Sequence, residues 1–177
     1  MGGGSITIIP QGKKMQGAYH AAGNALLYGA TGGQLFISGR VGQRFGVRNS
    51  GAIAVVEGCS AHAAEYMTGG TLVILGEIGF NFGAGMTGGK VIVLNTQKSF
   101  NQYISKSAPT SHALNEIDSL DLKTLLEKHV EQTGSELAVK LLTKEDSWHK
   151  MFTVFGGIAE ITDKKDTSVE TKVSALD

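Results

Sequence analysis

Apolar and polar residues alternate in this chain in a pattern that repeats about every 19 residues. Each repeat is framed by a glycine that follows a small hydroxyl residue and precedes an apolar run. The framing glycines are Gly32, Gly51, Gly69 and Gly88, with steps of 19, 18 and 19 residues between them. A repeat of this length with one strand-like run in each period is typical of a solenoid, whose successive turns stack on one another.

Within the apolar runs, positions two residues apart are apolar in every repeat. When the repeats are aligned on their glycines, two such columns are Leu35, Ala54, Leu72, Val91 and Ile37, Val56, Ile74, Val93. Because side chains alternate between the two faces of a strand, both columns point to the same side. The pattern therefore predicts an all-β solenoid. We interpret it as a right-handed parallel β-helix, the hand being that of β-crossovers in general.

A further column lies between the two inward ones and points outward, yet it is also apolar. It consists of Phe36, Val55, Val73 and Ile92. An exposed apolar stripe of this length is unusual on a folded protein, so we predict that it is covered. The covering residues are expected on the helices near the C-terminus, at Leu122, Leu125, Leu126 and Leu141.

After Asn95 the repeat stops, and residues 96–117 are predicted to form a polar connection outside the coil. Asp118 or Ser119 is expected to cap a first helix that Gly134 ends, and Ser135 to cap a second. The chain is thus divided into a solenoid over residues 1–95, a connection with a helical pair over 96–155, and a polar, flexible tail over 156–177.

The N-terminal end of the predicted coil has no turn in front of it. Residues 3–8 fit the repeat, and residues 11–19 are expected to form a loop before the next turn. Ile6 and Ile8 fall in the core columns, so their apolar surface would stay in contact with water. We expect another chain to cover this end, and the isolated chain to form a homo-oligomer through its N-terminal turn.

Composition narrows the function further. The chain has 16 basic and 16 acidic residues and no net charge, which argues against a nucleic-acid or membrane-surface partner bound by charge. Its single cysteine, Cys59, allows no internal disulfide. The N-terminus lacks the basic and apolar regions of a signal peptide, and a cytoplasmic location is expected.

Three segments carry a resemblance to a known family. GNALLYGATGG from Gly23, RVGQRFGVRNSGAIAVVEG from Arg40 and EYMTGGTLVILGEIGFNFGAGMTGG from Glu65 resemble the C-terminal GXGXG β-helix domain of the glutamate synthase large (alpha) chain. The resemblance covers residues 5–154, and the helical segment before Trp148 is similar to the helical tail of that chain. The β-helical subunit of formylmethanofuran dehydrogenase is a more distant relative by pattern.

The resemblance implies a non-catalytic scaffold domain that braces the amidotransferase and FMN-binding synthase domains of glutamate synthase. That enzyme, which serves nitrogen assimilation, converts glutamine and 2-oxoglutarate with a reductant into two glutamates. Its catalytic cysteine, FMN site and iron–sulfur ligands are not matched here, so FMN and the iron–sulfur cluster are expected elsewhere in the enzyme. The alternative is a stand-alone assembly subunit of another oxidoreductase.

Few residues remain as candidates for chemistry. Gly83 to Gly88 spell GxGxxG, but a strand is predicted to follow where a nucleotide site needs a helix. His62 and Glu65 offer two metal ligands where zinc needs three or four, so a surface pair is favoured. Cys59 lies in an apolar column and is expected to be inert. His129 lies on an apolar helix face and is expected to be packed and hydrogen-bonded.

Three arginines are the remaining candidate site. Arg40, Arg44 and Arg48 recur every four residues on a path that is not helical, so they could gather on one edge. There they would contact an acidic partner surface or an anionic ligand. The alternative is that they pair with acidic residues of this chain, namely Glu57, Glu65 and Glu77.

Overall fold

The computed structural model describes residues 2–10, 20–144 and 148–156. The loop predicted over residues 11–19 and the tail predicted beyond Gly156 lie outside the described residues.

Seven strands lie before residue 95 in the described part of the chain. They are β1 (Gly2–Ile8), β2 (His20–Ala22), β3 (Gly32–Ile37), β4 (Arg40–Val41), β5 (Ser50–Val56), β6 (Thr68–Ile74) and β7 (Gly88–Leu94). Strands β1, β3, β5, β6 and β7 lie side by side in that order, each parallel to the next. Strands β2 and β4 form a short second parallel sheet on the return path. The chain is therefore a parallel β-solenoid, as predicted.

The register of the main sheet matches the predicted columns. Leu35 pairs with Ala54, Ala54 with Leu72, and Leu72 with Val91. All four side chains are buried inside the coil together with apolar residues of the return path, such as Phe45 and Phe82. The period of two in each strand and the period of 19 between turns thus place the core where the pattern predicted it.

The return path of each turn has an unusual backbone. Three alternate residues of each turn adopt left-handed φ values between 53° and 70°. They are Ala25, Leu27 and Gly29, then Arg44, Gly46 and Arg48, then His62, Ala64 and Tyr66, and finally Asn81, Gly83 and Gly85. We call residues 25–29, 44–48, 62–66 and 81–85 the left-handed strip.

Backbone hydrogen bonds join the segments of the left-handed strip from turn to turn. The outer left-handed residues donate to the next turn: Arg44 N–H to Ala61 O and Arg48 N–H to Glu65 O, both at 2.9 Å. The central residue donates to the previous turn, as Gly46 N–H does to Leu26 O at 2.9 Å. Most left-handed residues of the strip therefore have hydrogen-bonded amides without forming a regular sheet.

Two helices cover the outer face of the main sheet: α1 (Glu116–Thr133) and α2 (Glu136–Leu142). Asn115, and not the predicted Asp118 or Ser119, caps α1, because its Oδ1 accepts the Asp118 N–H at 2.8 Å. Gly134, at φ 66°, ends α1 as predicted. Ser135 caps α2, as predicted, by accepting the Ala138 N–H at 3.1 Å.

The predicted cover over the outward apolar stripe is confirmed. Phe36, Val55, Val73 and Ile92 are all fully buried. They form a second apolar cluster with Leu122, Leu126 and Leu141 of the helices, and Leu125 packs at its margin. The molecule therefore has two apolar cores, one inside the coil and one between the sheet and its helices.

The C-terminal end of the coil is closed by strands that were not predicted. Strands β8 (Ser111–Ala113) and β9 (Phe152–Gly156) add to the sheet beyond β7, both in antiparallel pairs. The sequence pattern predicts residues 96–117 outside the coil and Phe152–Phe155 in a helical tail. Instead β9 pairs with β7 and places Phe155 in the coil core, 5.1 Å from the ring of Phe82. The sheet thus extends past the boundary expected at residue 95.

The N-terminal end of the coil contrasts with this closed end. Strand β1 pairs with β3, and Ile6 lies opposite Leu35, as its assignment to a core column predicts. Ile6 is nevertheless 45% exposed. No helix within the described residues is long and apolar enough to cross a membrane.

Candidate functional site

The outer positions of the left-handed strip form the face of the coil that α1 and α2 do not cover. Arg44, Arg48 and Tyr66 occupy such positions and are exposed. Sequence reasoning missed this strip. Its signal was present, because Gly46 and Gly83 share one column of the repeat and Gly29 and Gly85 share another. Glycine recurs there because a left-handed residue with a side chain costs about 1–2 kcal/mol.

A small polar network lies on the strip. The Nδ1 atom of His62 lies 2.7 Å from Glu65 Oε1, and the Asn81 amide donates to the same oxygen at 2.7 Å. These residues therefore join two successive turns. In the part of the chain that the structure describes, no group of three or more His, Cys, Asp or Glu residues could hold a metal ion.

The structure separates the three candidate arginines. Arg40 on β4 forms an ion pair with Glu77 at 2.7 Å and also donates to Cys59 O at 3.2 Å. Arg44 and Arg48 lie on the strip and contact no acidic side chain among residues 2–10, 20–144 and 148–156. The pairing considered for Arg40 is thus present, whereas Glu57 and Glu65 interact with other residues.

Several aromatic side chains are exposed on or beside the left-handed strip. Tyr66 is 58% exposed, and its ring lies over Gly85, where an added Cβ would come within 2.6 Å of Tyr66 Cε1. Phe80 is 62% exposed, with its ring centroid 4.8 Å from that of Tyr103. Tyr28 is also exposed, in the first turn of the strip.

Cys59 is fully buried, as its apolar column predicted. Burial raises the pKa of the Cys59 thiol to about 12, against smaller lowering effects of the Arg40 charge and a backbone hydrogen bond from Gly79. Because the thiolate is the nucleophile, a thiol with this pKa is inert at neutral pH.

His129 on α1 lies between the helix and the sheet and is fully buried, so it is packed as predicted. The prediction that it is hydrogen-bonded is wrong: neither ring nitrogen has such a partner among the described residues. Its Nε2 atom lies 3.7 Å from Glu57 Oε1, which accepts a hydrogen bond from Ser135 Oγ. Glu57 therefore links the coil to the start of α2.

A second polar contact ties α1 to the sheet. Lys90 on β7 lies 2.7 Å from Asp118 Oδ1 and 3.1 Å from Asp121 Oδ2. Burial lowers the pKa of Lys90, but its hydrogen bonds to the two carboxylates outweigh this effect and raise the pKa above its usual 10.5. The pair places a charge–charge contact beside the apolar packing of the helix.

An open cavity of about 460 Å³ lies near the closed end of the coil and is lined by Asn95, Gln97, Ser99, Phe100, Asn101 and Gln102. None of these side chains ionises near neutral pH. The GxGxxG stretch, Gly83 to Gly88, runs into strand β7 and not into a helix, as its place in the repeat predicted.

The fold and these contacts define a class of protein: a parallel β-solenoid with a helical cover, whose polar groups join turn to turn and helix to sheet. The chain belongs to the GXGXG motif family, whose model matches residues 1–160. Three glycines at alternate positions, as in that name, have the spacing of the left-handed residues in each turn.

The chain is similar to several curated glutamate synthases. The chloroplastic ferredoxin-dependent glutamate synthase of Spinacia oleracea is 42% identical over 156 residues, which is 86% of this chain and 10% of that protein. The NADPH glutamate synthase large chain of Azospirillum brasilense is 47% identical over 135 residues, or 75% of this chain and 9% of that protein. The NADH glutamate synthase of Schizosaccharomyces pombe is 48% identical over 122 residues, or 68% and 6%. The chain thus spans about a tenth or less of the length of these relatives.

Proposed function

We propose that this chain is a non-catalytic scaffold of a glutamate synthase, a cytoplasmic enzyme of nitrogen assimilation. The observation that carries the proposal is the 42–48% identity to three glutamate synthases named for different electron donors. Since the same segment occurs with ferredoxin, NADPH and NADH enzymes, its role is independent of the electron donor. In this proposal the amidotransferase and FMN-binding synthase regions, with FMN and the iron–sulfur cluster, belong to other parts of the enzyme.

The contacts of the described residues support a structural role. Glu77 pairs with Arg40 of the previous turn, and Glu65 binds His62 of its own turn and Asn81 of the next. Asp118 binds Lys90 and thereby joins α1 to the sheet. These carboxylates thus hold the coil and its cover together.

The test is an activity assay of the chain alone and with the rest of the enzyme. The purified chain is incubated with glutamine, 2-oxoglutarate and a reductant, and glutamate is measured against a buffer blank. We expect no glutamate from the chain alone, and unchanged results for His62→Ala, Glu65→Ala and His129→Ala. Glutamate above the blank from the chain alone would overturn the scaffold proposal.

In a matched measurement, the amidotransferase and synthase regions of the same enzyme are produced without this chain. The chain is then added, and binding and activity are measured. We expect these regions to bind the chain and to gain activity or stability from it. Regions that neither bind the chain nor change on its addition would contradict the proposal. If the chain, purified from its native source, is instead found bound to a different oxidoreductase, the alternative of a separate assembly subunit is correct.

The N-terminal turn of the coil is one surface that we propose is in contact with another polypeptide. Strand β1 is exposed along most of its length, including Ile6. We propose that another polypeptide covers this end, and that a second copy takes its place when the chain is alone. Sedimentation over a range of concentrations should show self-association that the double variant Ile6→Lys/Ile8→Lys abolishes. A monomer at all concentrations, unchanged by the substitutions, would show that no such contact is needed.

A further inference from the structure

The left-handed strip carries more exposed binding groups than a structural face requires. Its residues at the outer positions point away from the core of the coil, while α1 and α2 pack on the main sheet. Arg44 and Arg48 occupy the two outer left-handed positions of one turn, four residues apart. Tyr66 occupies the outer position in the next turn, joined to Arg48 by the bond from Arg48 N–H to Glu65 O.

The positive charge of this face is not balanced within the described residues. Arg44 and Arg48 contact no acidic side chain there, and the acidic groups on neighbouring turns already have partners. Glu65 binds His62 and Asn81, and Glu77 binds Arg40. Glu65 is the one carboxylate on the left-handed strip, so Arg44 and Arg48 together give this face a net positive charge.

The side chains beside the arginines are those that dominate protein interfaces. Tyrosine and arginine are enriched among the residues that contribute most to binding energy. Tyr66 and Tyr28 are both more than half exposed, at 58% and 54%. A planar guanidinium donates two parallel hydrogen bonds to a carboxylate, and tyrosine adds apolar contact area at little cost in side-chain entropy.

The backbone under these side chains is held in place before any partner binds. Each outer left-handed residue of the second and third turns donates its N–H to the next turn. Arg44, Arg48 and Tyr66 therefore project from a hydrogen-bonded strip and not from a free loop. A preformed surface loses less conformational entropy on binding.

We propose that the face formed by Arg44, Arg48 and Tyr66, flanked by Tyr28, docks a surface of the same glutamate synthase that carries aspartate and glutamate side chains. This inference rests on the proposed function, because the partner is taken to be the rest of that enzyme. The carboxylates pair with Arg44 and Arg48, and apolar atoms of the partner pack on the tyrosine rings. Arg40 takes no part, since Glu77 already neutralises it.

The charge balance favours a protein partner over a nucleic acid. A protein that binds nucleic acid through phosphates needs an extended basic surface. Here two arginines stand on a chain with as many acidic as basic residues. A single-stranded RNA oligonucleotide therefore serves as a competing probe in the test.

The experiment measures binding of the full chain to the amidotransferase and synthase regions of the same enzyme, at low and at high salt. The double variant Arg44→Glu/Arg48→Glu should bind at least about tenfold more weakly, and the wild-type affinity should fall with salt. The matched control is Lys98→Glu/Lys140→Glu, which changes the net charge equally at exposed positions away from the strip. It should bind within about twofold of the wild type.

Tyr66 separates an interface role from a role in folding. Tyr66→Ala should weaken binding about tenfold, whereas Tyr66→Phe, which keeps the ring over Gly85, should bind nearly as the wild type does. Thermal unfolding of each variant checks the fold. The arginine double variant should unfold at the wild-type temperature, since neither side chain has a partner among the described residues.

Each remaining outcome has a separate meaning. If the wild-type chain binds and the arginine double variant binds equally well, this docking surface is wrong while the scaffold proposal stands. If the wild-type chain does not bind at all, both are overturned. Binding of the RNA probe that depends on Arg44 and Arg48, in place of the protein, would also overturn the inference.

Discussion

Among single residues, the framing glycines have a clear physical reason to recur. A Cβ added to Gly51 would lie 2.3 Å from Thr31 O, and one added to Gly69 would lie 2.4 Å from Ser50 O. In each case the carbonyl belongs to the hydroxyl residue that precedes the framing glycine one turn earlier. The turns approach each other too closely there for any side chain, because both contacting groups are backbone.

The first prediction compares two of these glycines. Gly69→Ala should lower the free energy of unfolding by about 1–3 kcal/mol or more, because backbone must move to admit the methyl group. Gly32→Ala is the control, since its added Cβ would meet Gly2 O at an ordinary 3.5 Å. Urea unfolding of both variants tests this, and equal losses would contradict the contact argument.

The second prediction concerns a strip residue that is not glycine. Ala25 is exposed and left-handed, at φ 59°. Ala25→Gly should therefore raise the free energy of unfolding by about 0.5–1 kcal/mol, because glycine removes the strain of this backbone conformation. Ala61→Gly, two turns further along the coil at a position without positive φ, should instead lower it by about 0.5–1 kcal/mol. Destabilisation by both changes would refute the strain argument.

Among the elements, α1 is joined to the sheet by apolar packing and by the contact of Lys90 with Asp118. Asp118 is 4% exposed, whereas Asp121, the other partner of Lys90, is 52% exposed. Loss of the buried carboxylate is costly, because Lys90 then keeps only Asp121, an exposed partner that interacts with it weakly. The exposed pair contributes little.

The third prediction follows from this difference. Asp118→Asn should lower the free energy of unfolding by about 3 kcal/mol, and Asp121→Asn by about 0–1 kcal/mol. Urea unfolding of both variants measures the difference.

The raised pKa of Lys90 means that the folded state holds this proton more tightly than the unfolded state. Its contribution is therefore complete below pH 10.5 and is lost as the pH rises through the higher folded pKa. As the pH rises above 10.5, the free energy of unfolding should fall less in Lys90→Met than in the wild type. An equal fall in both proteins would exclude Lys90 as the cause.

Two elements show the limit of local pattern reading. Strands β8 and β9 have only three and five residues, too few to display a period. Their strand conformation comes from antiparallel pairing with each other and with β7, which lies about 60 residues earlier than β9 (Lys90 opposite Gly156). Asn115 caps α1 in place of Asp118 because both types are good caps, and sequence alone does not say which turn is the first.

In the whole molecule, the two ends of the coil differ. Phe155 of β9 fills the C-terminal end of the core and is 1% exposed, whereas Ile6 at the N-terminal end is 45% exposed. Phe155 belongs to the core inside the coil and Ile6 pairs with Leu35 of that core, but only Phe155 is covered by described residues of this chain.

The fourth prediction uses this contrast. Phe155→Ala should lower the free energy of unfolding by about 3–5 kcal/mol, because it leaves a cavity beside Phe82 and Phe100. Ile6→Ala should lower it by less than about 1 kcal/mol in the monomer, since much of that side chain already contacts water. Calorimetric unfolding at low concentration would measure both, and a large loss for Ile6→Ala would mean that this end is covered.

The stacked coil, its core columns and the helical cover over Phe36, Val55, Val73 and Ile92 are predictable from the sequence pattern alone. These features depend on two short periods, of 2 and about 19 residues, which are visible in the sequence without knowledge of contacts between distant segments. The Gly134 and Ser135 caps are also predictable from local sequence, because capping depends on residues within one helical turn.

The partners of the charged groups depend on the three-dimensional fold and are not predictable from the sequence pattern. Arg40, Arg44 and Arg48 are equivalent in spacing, yet Arg40 meets Glu77, 37 residues away, and the other two meet no acidic side chain among the described residues. The same holds for β9, whose place beside β7 depends on the path of the helices between them. Pairing between residues far apart in the sequence depends on where their segments meet in the fold, and a local repeat contains no information about such contacts.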